Sequence, residues 1–352
     1  MTPSFWSGRR VLVTGHTGFK GAWLSFWLAE LGADVSGLAL PPSSSPNLHD
    51  LLGLSGLGGS VFADINDQGA LAALMTSARP EVVIHMAAQP LVRHSYAAPV
   101  ETFMTNVGGT VTLLEAVRAC EETRAVVIVT TDKCYENRDW HWGYRETDQL
   151  GGHDPYSASK ACAEIATASM RRSFFTEGGH PARIATARAG NVIGGGDWSE
   201  DRLAPDIVRG CLGPGHIVRL RNPGAVRPWQ HVLDPLNGYL SLAERLYSGE
   251  AGFDEAWNLG PDPADSQPVL AVAEAMVNAL GQGRIETPAD PNPLHEAKLL
   301  MLDCSKARAR LDWRPKLDFW ESVGLTADWY RSWASGADMV DVTRAQIDRF
   351  ME

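Results

Sequence analysis

The stretch Val11-Leu-Val-Thr-Gly15-His-Thr-Gly18-Phe-Lys-Gly21 constrains this chain more than any other part of it. An apolar β-branched strand, Arg10 to Val13, runs into a turn holding three glycines, and a helical stretch, Phe19 to Leu31, begins inside that turn. Glycines so spaced allow a tight turn, let the backbone come close to a ligand, and let the helix pack hard on the strand. The helix N-terminus then offers free N–H groups to an anion. Three glycines alone signify little, but between an apolar strand and a helix they mark a dinucleotide turn. Its expected contacts are Gly15, His16, Thr17, Gly18, Phe19, Lys20 and Gly21.

Further apolar runs follow at 35–40, 60–63, 82–85, 125–130 and 183–189, with helix-like stretches between them. Strands apolar along their whole length and separated by helices indicate a parallel sheet covered on both faces, the doubly wound α/β architecture. After about Gly190 the texture changes: Gly and Pro cluster at 194–196, 213–215, 222–224, 260–263 and 288–293. The expected division is a dinucleotide-binding part over 1–189 and a smaller, loop-rich α/β substrate part over 190–352, with segments at about 230–258 returning to the first. Trp23, Trp27, Trp320, Trp329 and Trp333 fall in helical stretches, where core packing is expected.

A second constellation lies downstream. Tyr156-Ser-Ala-Ser-Lys160 places a phenol and an ammonium four residues apart, on one face of a helix. The cation is expected to bring the phenol towards neutrality, making Tyr156 a base for a hydroxyl whose carbon gives up hydride. Thr130-Thr131-Asp132-Lys133 ends the fifth strand on its carboxyl side, where doubly wound sheets place ligands. Thr131 puts a hydroxyl there, and Asp132 and Lys133 add a carboxyl and an amine beside it.

Charge and cysteines narrow the field. A net charge of −11 argues against nucleic acid, which takes a basic surface, and no apolar run is long enough to predict a membrane span. The start lacks the apolar core of a signal peptide. The 5 cysteines stand singly, so reduced thiols in a cytoplasm are expected, with no metal site.

The GxxGxxG turn and YxxxK resemble the extended branch of the short-chain dehydrogenase/reductase family. Longer strings extend the resemblance nearly end to end: His85-Met-Ala-Ala-Gln-Pro-Leu-Val-Arg93, Asp132-Lys-Cys-Tyr-Glu-Asn137, Trp142-Gly-Tyr-Arg-Glu146, Gly190-Asn-Val-Ile-Gly-Gly-Gly-Asp-Trp198, Arg227-Pro-Trp-Gln-His231 and Leu302-Asp-Cys-Ser-Lys306. They resemble the family's nucleotide-sugar 4,6-dehydratases, and most closely the subfamily acting on CDP-glucose.

The resemblance implies a Rossmann fold, NAD as cofactor, and a redox-neutral loss of water by way of a 4-keto sugar. It implies Thr131, Asp132, Lys133, Tyr156 and Lys160 as catalytic residues. Cofactor contacts would come from Asp64, Ile65, Ala87, Ala88, Gln89, Asn106, Thr130, Tyr156 and Lys160 as well as the turn. Substrate contacts would come from Gln89, Arg93, Thr131, Asn191, Arg202, Arg219, Arg227, His231 and Glu296, with Asn191 and Arg227 on the diphosphate.

Two departures matter. The family's dehydratases usually carry Asp-Glu where this chain has Asp132-Lys133. The expected roles are a protonated Asp132 as acid and a neutral Lys133 as base at C5, against a Lys133 that only binds substrate. The second strand ends Leu38-Ala-Leu40 without the carboxylate that grips the adenosine ribose, which leaves NADP open. A homodimer or tetramer is expected through the helix after Tyr156 and the one before the fifth strand. The resemblance also implies deoxysugar biosynthesis of the kind that feeds O-antigen lipopolysaccharide. A 4-epimerase, a dehydratase for another nucleotide, and a non-catalytic dinucleotide-binding regulator stay open as alternatives.

Overall fold

A computed structural model describes residues 1–176, 179–288 and 299–352. The apolar runs form β1 (Arg10–Thr14), β2 (Asp34–Ala39), β3 (Val61–Phe62), β4 (Val82–His85), β5 (Ala125–Val129) and β6 (Arg183–Ala189). Shorter strands follow: β7 (Asn191–Ile193), β8 (Ile217–Arg219), β9 (Val226–His231), β10 (Ala256–Leu259), β11 (Ser266–Pro268) and β12 (Arg284–Glu286). Seven of these make one parallel sheet in the order β10-β6-β5-β4-β1-β2-β3.

Side chains alternate across each strand, and helices cover both faces. Val11, Val13, Ile84 and Val127 point into one apolar core, and Leu12, Val83, Val126 and Ile128 into the other. The chain leaves β1 towards β2 and β3, then returns to place β4 on the other side of β1. That reversal opens a crevice at the carboxyl ends of β1 and β4.

The second half contributes to both parts. β10 pairs with β6, extending the main sheet, and the helix Leu233–Tyr247 buries one face against it. The three-stranded sheet β11-β9-β7 and the parallel pair β12-β8 are separate from it.

Trp23, Trp27 and Trp329 are fully buried and Trp333 packs at the edge of the core, but Trp320 is 67% exposed. The helix Phe319–Ala334 buries Phe319, Val323, Ala327 and Tyr330, and position 320 falls off that stripe. All five cysteines are free. Among the described residues no helix is long and apolar enough to cross a membrane.

Candidate active site

The glycine turn closes on the loop after β4. Gly15 has φ +76, and a Cβ there would lie 2.7 Å from the Ala87 nitrogen. A Cβ on Gly21 would fall 2.0 Å from the Gly15 carbonyl oxygen, so the helix Phe19–Glu30 sits directly on the turn. Its N-cap, Gly18, provides no side chain to satisfy the first-turn N–H groups. That arrangement fits a dinucleotide pyrophosphate.

Around the turn, Thr17 ties down the end of β2 by donating to the Leu40 carbonyl. Phe19 and Lys20 occupy the first helical turn, and Ala88 follows Ala87 in the facing loop. Asp64 accepts from the Asn66 backbone and side chain, closing the turn after β3. Ile65 fills the space left by Gly109.

β2 runs out through Leu38, Ala39 and Leu40 without a carboxylate. The His16 ring lies against Gly37, stacks on Phe62 at 6.2 Å, and meets His49 edge-on at 5.5 Å. Burial, then His49, lowers its pKa to about 4, so it is a neutral ring at pH 7.

A hydrogen-bonded strut runs from this turn to the catalytic helix. Thr14 Oγ1 accepts from the Met86 and Ala87 amides, so its proton goes to His85 Nδ1, 2.7 Å away. His85 therefore carries its proton on Nε2 and donates to Thr110, which donates to the Asn106 carbonyl. Asn106 lies in a π-helical turn, Met104–Gly108, and its amide pairs with both Gln89 backbone groups. The same amide donates to Ser159, whose hydroxyl donates to the Tyr156 carbonyl.

Tyr156 and Lys160 lie on the buried face of the helix Pro155–Phe174, which Asp154 caps by accepting from the Ser157 amide. The Tyr156 phenol lies near Thr131, whose hydroxyl favours the phenolate. Its expected fall towards neutrality is not what the structure gives. Burial pushes it up to about 12, with Thr131 and Arg202 opposing. The Lys160 amine donates to the Val129 carbonyl, 3.3 Å away, and burial brings it down to about 8 while Glu164 and Cys134 oppose that. Thr130, at the end of β5, donates to Glu164.

Asp132 is fully buried. One carboxylate oxygen accepts from Thr131 at 2.9 Å and lies 3.8 Å from Lys133 Nζ. The other has no partner among the described residues. Lys133 is 30% exposed beside that carboxylate. Lys20 sits deeper. Burial, then Arg202 and Lys160, brings it down to about 7.

The candidate substrate groups divide. Arg227 is buried on β9, and the buried Asn191 Oδ1 lacks a partner among the described residues. Both lie in the three-stranded sheet, on paired strands. Arg202 bonds Asp197 at 3.4 Å, and Arg93 faces Asp201 at 3.9 Å.

Three others are occupied or remote. The Gln89 amide is used on Thr102 and Leu91. Arg219 is 65% exposed and pairs with Glu286. His231 has no exposed surface and packs edge-on against Trp23, where burial lowers its pKa to about 3. Glu296 lies outside the described residues.

Sequence reasoning missed Glu164 and Arg188, which form a buried ion pair at 2.7 Å behind Lys160. Glu164 stands one helical turn after Lys160, and that spacing was the available signal.

Known proteins share both the sequence and the fold. The chain is 47% identical over 351 residues to a CDP-glucose 4,6-dehydratase of Salmonella typhimurium, covering 99% of this chain and 98% of that one. A Streptomyces venezuelae dTDP-glucose 4,6-dehydratase double mutant, solved with NAD and DAU bound, is 26% identical. It aligns with a TM-score of 0.78 over 94% of this chain and 99% of its own. A UDP-glucose-4-epimerase of Stenotrophomonas maltophila aligns with a TM-score of 0.80 at 24% identity, covering 94% of this chain and 100% of that one. The family model described as GDP-mannose 4,6 dehydratase matches residues 12–326, and the chain belongs to that family.

Proposed function

We propose that this chain is an NAD-dependent CDP-glucose 4,6-dehydratase, converting CDP-D-glucose to CDP-4-dehydro-6-deoxy-D-glucose and water. The observation that carries the dehydratase reading is Asp132. One oxygen of its buried carboxylate accepts from Thr131 and lies beside Lys133, and the other is left without a partner among the described residues. An epimerase has no use for an acid and an amine at that place. The CDP assignment is supported by the 47% identical relative.

The turn from Gly15 to Gly21, with Asp64, Ile65, Ala87, Asn106 and Lys160, would hold the dinucleotide. Bound there, a nicotinamide would supply the hydride acceptor for C4 of the sugar and the hydride donor for C6. Thr131 holds the C4 hydroxyl, and Tyr156 takes its proton. The resulting ketone acidifies the C5 proton, which Lys133 removes while Asp132 donates a proton to the departing C6 hydroxyl. The pair shares one movable proton: carboxylate beside ammonium, or carboxylic acid beside amine. Covering Lys133 with substrate removes water and favours the second arrangement. Asn191 and Arg227 hold the diphosphate, with residues 190–352 forming most of the sugar-nucleotide part and 1–189 the dinucleotide part.

A homodimer is supported by a run of exposed apolar side chains on neighbouring helices: Val100, Met104, Val111, Ile165 and Phe174. The five free thiols support a reducing cytoplasm. The product suits a deoxysugar route to O-antigen. Incubation with NAD and CDP-glucose, or the dTDP, UDP and GDP sugars, tests the reading. Loss of one water from CDP-glucose alone, with alkali-induced 4-keto absorbance and no net NADH, is expected. Water loss from another nucleotide sugar would overturn the CDP assignment, and altered stereochemistry without water loss would overturn the dehydratase.

A further inference from the structure

Behind the Tyr156–Lys160 face lies a buried cluster that the mechanism above does not use. Glu164 Oε1 accepts from Thr130 at 2.5 Å, at the end of β5. Its Oε2 accepts from Thr186 and from Arg188, both at 2.7 Å, on β6. Arg188 also donates to the Tyr135 hydroxyl, which donates to Asn258 on β10. One carboxylate therefore fastens the catalytic helix to two adjacent strands, and the network reaches a third. All of these side chains are buried.

The charges do not balance without Glu164. The groups acting on the Lys160 amine are Glu164 on its own helix, Cys134 after β5, His85 on β4 and Lys20 on the first helix; Tyr156 stands one turn before it on the buried face. Cys134 is a neutral thiol, because burial pushes it well up, and burial keeps His85 neutral at about 3. Glu164 itself faces Arg188, Arg171 and Lys160. It is the buried anion between two buried cations, and of those two only a lysine readily gives up its proton.

We propose that Glu164 is a positioning residue for the redox step, keeping the Lys160 amine charged and holding the Tyr156–Lys160 face against the end of β5. With the charge in place, Lys160 stabilises the phenolate that Tyr156 must become. Without it, Lys160 sheds its proton first and the phenol titrates alone, at higher pH. The role rests on reading Tyr156 and Lys160 as the redox pair. The titration that decides it needs neither substrate nor cofactor.

The chain has six lysines, few enough to follow each one by NMR after labelling the lysine side-chain carbons. The Lys160 signal is assigned by its loss in Lys160→Met. In the unaltered protein it should titrate near 8, and in Glu164→Gln about one unit or more lower, with the Lys306 signal unmoved. The pH at which C4 oxidation rises in single turnover should move up in parallel.

Glu164→Gln leaves Arg188 unpaired and risks misfolding. The double variant Glu164→Gln, Arg188→Met removes both charges and should still lower the Lys160 titration, by less. An unmoved Lys160 titration in a folded single or double variant would overturn the proposal, leaving Glu164 as the counter-ion of Arg188 alone. A protein that dehydrates no sugar nucleotide, yet shows the shifted lysine, would sink the substrate reading and not this one.

Discussion

The two sides of the site are built differently. On the redox side, Thr14, His85, Thr110, Asn106 and Ser159 form one chain of hydrogen bonds ending at Tyr156, and Glu164 anchors the next turn of the same helix. On the elimination side, Asp132 and Asn191 each keep a buried oxygen without a partner among the described residues, and Lys133 is partly open to solvent. An unsatisfied buried oxygen costs about 1–3 kcal/mol, so it persists where a ligand can supply the missing bond. On the proposed reading, Tyr156 meets the C4 hydroxyl in one fixed geometry and gains from being held, while Asp132 and Lys133 act on a sugar that must first be oxidised and their bonds are left for it.

The largest effect should come from breaking the open side. Lys133→Met should slow C5 solvent exchange and water loss by about a thousandfold, the middle of the range for a positioned base, while C4 oxidation survives. Solvent deuterium incorporation, followed by mass, checks this. Exchange at the normal rate would reduce Lys133 to a binding group. On the held side, Asn106→Ala removes three bonds at once and strands the Gln89 amide. It should cost about 1–3 kcal/mol of stability and lower kcat more than it raises KM, because the helix carrying Tyr156 loses its lateral support. Urea unfolding and steady-state kinetics separate the two effects. An unchanged kcat with lowered stability would show that the strut holds the fold and not the phenol.

The residues that meet on both sides were legible in the sequence, and the bonds and cover that hold them were not. β1, β4 and β5 read as strands because their residues are apolar throughout, and the glycine turn and YxxxK depend on short spacings that a linear chain displays. The upward shift of Tyr156 was not legible. It follows from how completely the surrounding elements cover the phenol, and the residues flanking it in sequence carry no trace of that cover. Arg188 was hidden for a related reason: it reaches Glu164 from another strand, 24 residues along the chain. Trp320 misled because a helical stretch says that one face is buried without saying which.

His85 offers the finest test of the contrast, because its place in the strut requires a neutral ring with the proton on Nε2. Burial lowers its pKa from 6.5 to about 3. Between those values the unfolded chain takes up a proton that the folded chain refuses. The stability His85 contributes is therefore complete above pH 6.5 and is lost as pH falls towards 3. One such proton is about 1.4 kcal/mol per pH unit. Asp234 works the other way, since burial raises it to about 7 and the folded chain gains from its protonation as pH falls. His16 and His231 add to the loss. Those three groups are common to the protein and to His85→Asn, so the difference between their stability curves isolates one proton. From pH 6 to pH 5 the variant should lose about 1.4 kcal/mol less than the parent in urea unfolding. Parallel curves would mean that His85 accepts a proton in the folded state, and that the strut tolerates a break the redox side is otherwise built to prevent.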